Sequence, residues 1–166
     1  RPIPNLQAGA SIVSPSEMYD DDSDTFTIID EWGCRSSWVW LDASLLLFDR
    51  KGNKVGEVDY NDTKWRGGVI THSGDKQDEK KAHGSHTITI QMKQLTDQHP
   101  DVFSVLLVLS AYSQDLTQIV KPFVVMQDSD DSVVARVANL DTNCRATSIT
   151  MCDIHRHPRL GWVLTA

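Results

Sequence analysis

No apolar run in the sequence approaches the roughly 20 residues that a transmembrane helix needs. The longest, around Val105–Leu109, suits a buried strand instead. Cysteine is scarce: Cys34, Cys144 and Cys152 form an odd, scattered set, which is no disulfide framework. Reduced thiols and a cytoplasmic location are the matching expectation. Positive charge is short as well. There are 16 basic residues against 23 acidic ones, a net charge of −7, and the seven acids from Glu17 to Glu31 have no base among them. An acidic surface repels phosphate backbones, so nucleic-acid binding is disfavoured as the main role. The sequence has no phosphate-binding glycine loop and no G-x-S-x-G elbow, and no local cysteine-protease signature surrounds any thiol. It opens on no signal-peptide pattern. A cysteine-based hydrolase is therefore the weak member of the functional alternatives, and the expectation is a protein that is not an enzyme.

What is present is β pattern. With 40% hydrophobic and 23% charged residues over 166 positions, the chain is long and apolar enough to build one globular core without a disulfide or metal. Residues 1–23, with Pro2, Pro4, Pro15 and the acidic run, read as an extended leader. Asp20-Asp21-Asp22-Ser23-Asp24 is a solvated tail or a surface for a basic partner. Residues 24–166 read as the folded domain. Thr25–Ile29 is a short candidate strand. Trp38–Asp49 carries Val39, Leu41, Ala43, Leu45 and Leu47 on one face, with Trp38, Trp40, Asp42, Ser44, Leu46 and Phe48 on the other. His86–Met92 alternates, with His86, Ile88, Ile90 and Met92 on one face. Phe103–Tyr112 reads as a central strand. Pro122–Gln127 and Ser132–Leu140 flank an Asp128-Ser129-Asp130-Asp131 turn, and Arg145–His155 and Leu160–Thr165 flank His157-Pro158-Arg159. A short helical turn fits Met92–Gln98, ahead of Pro100. The fold class is all-β, an antiparallel sandwich of about eight or more strands with at most short helical turns.

Several elements occur in a telling order. They are Leu41-Asp42-Ala43-Ser44 leading into an apolar strand, Asp59-Tyr60-Asn61, His72-Ser73-Gly74-Asp75, the run from Leu95 through Pro100-Asp101-Val102 to Tyr112, and Cys152–Arg156 with Trp162. Together the chain resembles the TerD (tellurium-resistance) family over roughly residues 28–166. The resemblance implies a β-sandwich, bound calcium in the better-known members, a place in stress responses and in membrane-associated complexes, and no attached enzymatic activity.

The same resemblance places the calcium ligands on Asp42, Asp75 and Asp115 and shows what has gone. Trp40 stands where the family pattern has an Asp, Lys76 where it has Asn, and Gly84-Ser85-His86 where it has an acidic triplet. Calcium wants six to eight oxygens. Three carboxylates do not by themselves fill that shell; Asp78, Glu79 and backbone carbonyls are the available substitutes, and Lys76, Lys80 and Lys81 oppose a divalent cation. The cofactor expectation is none or calcium. The bland readings are a strand-end hydrogen bond for Asp42 and an Asx-type turn for Asp75. Trp40 either fills the core or, with Lys76, Lys80 and Lys81, faces a protein partner. Zinc is a lesser candidate. His83 with His86, and Cys152 with His155 and His157, supply the residue types, but residues three apart on a strand point to opposite faces. These histidines are expected at the surface or at strand edges.

Overall fold

The computed structural model describes residues 5–7, 9–13, 25–35, 40–78, 80–112, 115–137 and 145–166. The strands are β1 (Asn5–Leu6), β2 (Ser11–Val13), β3 (Thr25–Cys34), β4 (Leu41–Phe48), β5 (Lys54–Val58), β6 (Lys64–Trp65), β7 (Ile70–His72), β8 (Lys76–Asp78), β9 (His83–Gln91), β10 (Ser104–Ala111), β11 (Ile119–Gln127), β12 (Val133–Val137), β13 (Ser148–His157) and β14 (Gly161–Thr165). The one α-helix among the described residues, α1, runs Met92–Gln98 between β9 and β10, where the sequence placed its helical turn.

Two sheets stack face to face. One orders β1-β12-β11-β3-β9-β7-β6, with β8 also on β9; the other orders β2-β14-β13-β10-β4-β5. Every pairing is antiparallel except β1 with β12. The all-β sandwich expected from the alternation is the fold observed. Both predicted hairpins form, β11 with β12 and β13 with β14, the part of the Ser132–Leu140 reading at 138–140 lying outside the described residues. Two pieces of the segment read as a leader are strands: β1 lies beside β12 and β2 beside β14. The acidic run at 20–24, Trp38, Val39, Glu79, Ser113 and Cys144 lie outside the described residues.

The core follows from the period-two patterns. Leu41, Ala43, Leu45 and Leu47 of β4 face Val105, Leu107 and Leu109 of β10 across the register, and all are buried. From the other sheet Phe26, Ile28 and Trp32 of β3 and Ile88 and Ile90 of β9 close the layer. Burial of that many apolar side chains, each contributing roughly 1.5–3 kcal/mol, is the main stabilising term. At the helix end, Arg156 fastens α1 to β13. Its Nε donates to Val102 O at 2.7 Å and its Nη2 to Leu95 O at 2.9 Å and His99 O at 3.1 Å, while the guanidinium lies 4.6 Å from the Trp162 ring centre.

Candidate functional site

Inward-facing positions of β3 read Phe26, Ile28, Asp30, Trp32, so one acid interrupts an apolar row. Its partner in register on β9 is His86, at the polar end of the row His86, Ile88, Ile90. Both are sealed from solvent, His86 at 0% exposure and Asp30 at 1%. His86 Nδ1 lies 2.9 Å from Asp30 Oδ2, and its Nε2 lies 3.1 Å from Asp75 Oδ1. A neutral imidazole donates from one nitrogen only, so a ring held between two carboxylates is suited to the doubly protonated form. Burial alone would push the His86 pKa down. The hydrogen bonds and charges of Asp30 and Asp75 outweigh it and hold the ring above the ordinary histidine value. Trp32 stacks on the imidazole with ring centres 4.9 Å apart and an interplanar angle of 25°, a favourable face for a cation.

The expectation of surface or strand-edge histidines is thus wrong for His86, because the pleat turns it inward and Asp30 compensates its charge. His83 does sit near the surface, 3.5 Å from Glu31.

The segment His72-Ser73-Gly74-Asp75 presents Asp75 to this ring. His72 Nδ1 accepts from Gly74 N–H at 2.9 Å, so the proton sits on Nε2, which donates to Ala43 O at 3.1 Å on the opposite sheet. Gly74 takes a left-handed φ of 71°, which costs glycine nothing. Ser73 Oγ accepts from Thr87 N–H at 3.0 Å and pins the turn to β9. Burial, then the neighbouring His86, holds the His72 pKa below its ordinary value, consistent with a neutral, cross-sheet tie. His72 and His86 lie with ring centres 5.1 Å apart.

Above the triad is a cleft of about 270 Å³ lined by Trp40, Asp42, Tyr60, Asp75 and Tyr112. Asp42 reaches it from the outward face of β4. Tyr60 is carried by a turn in which Asp59 Oδ1 accepts from Asn61 and Asp62 N–H, both at 2.7 Å. Tyr112 follows β10, and its N–H donates to Trp40 O at 3.1 Å. Partial burial, then the charge of Asp75, raises the Asp42 pKa.

Of the three candidate metal ligands, the structure brings Asp42 and Asp75 to one cleft and does not bring Asp115. The Asp115 carboxylate accepts from Thr117 N–H at 3.0 Å and from the Thr117 hydroxyl, capping the short helical turn Leu116–Gln118. Trp40 is half-buried at the cleft wall. Lys76, Lys80 and Lys81 are exposed and do not line the cleft, and Lys81 Nζ lies 3.5 Å from Asp78 Oδ2. A calcium ion does not fit this donor set. Among the described residues two carboxylates face the cleft, one Asp75 oxygen already lies 3.1 Å from His86 Nε2, and no group of three metal-binding side chains occurs. Cys152 is fully buried with its thiol pushed up to about 12 by burial and by Asp153, and burial also raises Cys34.

Fold and site together define a two-layer β module with a buried imidazole held between two carboxylates, one of which lines an aromatic, acidic cleft. The TerD domain model matches residues 19–166, nearly the whole chain, and the chain belongs to the TerD domain family. It is thus a module of the tellurium-resistance and stress-response type. No curated protein matches the chain. No helix among the described residues is long and apolar enough to cross a membrane.

Proposed function

We propose that the chain is a non-catalytic TerD-type binding module that engages a protein partner at the Trp40 cleft and does not depend on calcium. One observation carries this reading: the His86 ring lies between Asp30 and the cleft-lining Asp75, so the chain supplies its own cation to that carboxylate. A positive ring in contact with Asp75 repels a divalent ion that would use the same carboxylate. Non-catalytic use is supported by the thiols. A nucleophilic cysteine needs a lowered pKa, whereas both described thiols are raised, Cys152 to about 12. His72, the other buried imidazole, has both nitrogens engaged and none free to act as a base. The free thiol of Cys152 fits a reducing, cytoplasmic setting, and the acidic charge fits a partner other than nucleic acid.

A second reading, a calcium-responsive stress module, is favoured by Asp42 and Asp75 sharing the cleft. Thermal melts in excess calcium, excess magnesium and excess chelator separate the two. A ligand at a hundred times its Kd adds about 2.7 kcal/mol, which for a domain of this size is roughly 5–10 °C in Tm. The metal-independent module shows the same Tm in all three conditions. A calcium-specific rise of that size replaces it with the calcium-responsive one.

A further inference from the structure

The cleft combines two features that are separately unremarkable. Three aromatic side chains, Trp40, Tyr60 and Tyr112, share one small opening with two carboxylates, Asp42 and Asp75. The two carboxylates keep capacity for a ligand. Asp42 has no hydrogen bond or ion pair among the described residues, and His86 engages only one oxygen of Asp75. Counted formally, the three carboxylates of Asp30, Asp42 and Asp75 against one imidazolium leave two negative charges unneutralised. Tyr112 is 74% exposed and Tyr60 38% exposed, so rings stand at the rim rather than in the core.

We infer that this cleft is an aromatic cation site that takes the ammonium end of a lysine-type side chain, methylated or not, presented by a partner protein. The inference rests on the reading of the cleft as a metal-independent binding surface and adds what it binds. A hard metal ion gains nothing from ring faces and wants oxygens the cleft lacks. An alkylammonium gains from both features, because ring faces attract a weakly hydrated cation and carboxylates neutralise it. Size favours a side chain over a free metabolite: about 270 Å³ lies below the roughly 300–1,000 Å³ typical of small-molecule sites. Asp42 and Asp75 give the charge, Trp40 the half-buried wall, and Tyr60 and Tyr112 the open rim across which a peptide backbone passes.

The test titrates the full chain with one short peptide in four forms, carrying lysine, trimethyllysine, arginine or acetyllysine, and separately with tetramethylammonium. Tryptophan fluorescence reads the binding. The lysine and trimethyllysine forms saturate with Kd of about 1 mM or tighter, while the neutral acetyllysine form does not bind. Trp40→Ala and Asp42→Asn each weaken binding about tenfold with an unchanged Tm. Tyr112→Ala, at an exposed position, serves where Trp40→Ala fails to fold. The inference is overturned by no saturable binding of the cationic forms, by equal binding of acetyllysine, by a preference for arginine, or by variants that bind like the parent. Tetramethylammonium binding as tightly as the peptide overturns the assignment to a protein-borne cation. Failure of the peptides with no calcium shift in the melts removes this site alone. A calcium shift removes the metal-independent reading on which it rests.

Discussion

Replacing His86 with leucine tests whether the buried ring acts as a cation. The variant fills the space with an apolar side chain but leaves Asp30, at 1% exposure, with no cation in contact among the described residues. One Asp30 oxygen, Oδ1, already has no partner, so loss of His86 leaves both oxygens without one. Removing one member of a buried pair costs about 3–5 kcal/mol, equivalent to roughly 6–20 °C in Tm for a domain of this size. Asp30→Leu alone costs less, about 1–3 kcal/mol, because the remaining histidine keeps Asp75 and is free to lose its proton. Asp30→Leu/His86→Leu costs little more than Asp30→Leu, since an apolar pair often replaces a buried ion pair without loss. The cycle therefore shows a coupling close to the whole His86→Leu cost, about 3–5 kcal/mol, in urea unfolding near pH 6.5. pH sharpens the test. The folded pKa of His86 is raised, so its contribution is fully present below the unfolded value of about 6.5 and is lost as pH rises through the folded value. The gap between parent and His86→Leu thus narrows on the alkaline side. His72, lowered in the fold, acts oppositely: its contribution is present above the unfolded value and is lost as pH falls through its own folded value. A His86→Leu cost under about 1 kcal/mol, or one that does not shrink as pH rises, refutes the charged triad.

Three further outcomes follow from the packing. A methyl group on Gly84 would lie 2.2 Å from Cζ2 of the buried Trp32 ring. Gly84→Ala therefore lowers stability by about 1–3 kcal/mol and, by displacing Trp32 from His86, weakens the pH dependence described above; a neutral result in urea unfolding would mean the ring moves freely. Arg156→Lys keeps a charge but cannot donate through a planar fork to the carbonyls of Val102, Leu95 and His99. It costs about 1–3 kcal/mol, and amide exchange in α1 quickens more than in β9. Cys152, with its thiol pushed up to about 12, resists alkylation at pH 8 in the folded protein and reacts only after denaturation, by mass spectrometry; labelling at the rate of a free thiol would revive the hydrolase reading.

The alternation of β4 and β9 made the sandwich legible. Leu41, Ala43, Leu45 and Leu47 are buried and their neighbours half-buried, as period two requires. Thr25–Ile29 was only half of β3, which continues to Cys34. The apolar period breaks at Asp30, and nothing local marks a charge that is paid off by a residue 56 positions later. The strand β8, Lys-Gln-Asp, carries no apolar residue and forms only because β9 offers its edge. Asp42 and Asp75 meet at one cleft, as the family resemblance implied. Asp115 does not, and its local signal was an acid two residues before a threonine at a turn, which is a cap. Trp40, read as core filling or as a partner contact, is half-buried just before β4 at the cleft wall, because its surroundings come from residues distant in sequence.

The histidine explains why the cleft is acidic and yet a poor metal site. Where the family pattern has an acidic triplet, this chain has Gly84-Ser85-His86. Glycine lets Trp32 lie against the strand, and the third position puts a ring, not a carboxylate, beneath the cleft. The imidazole is part of the chain and carries no entropy of association, so Asp30 and Asp75 are held together without any ligand. It carries one charge where calcium carries two. The remaining negative charge is left at Asp42 and on the second oxygen of Asp75, at the surface beside three aromatic side chains. The substitution therefore does two things at once: it fixes the loop from below and leaves above it a charge that only an outside cation neutralises.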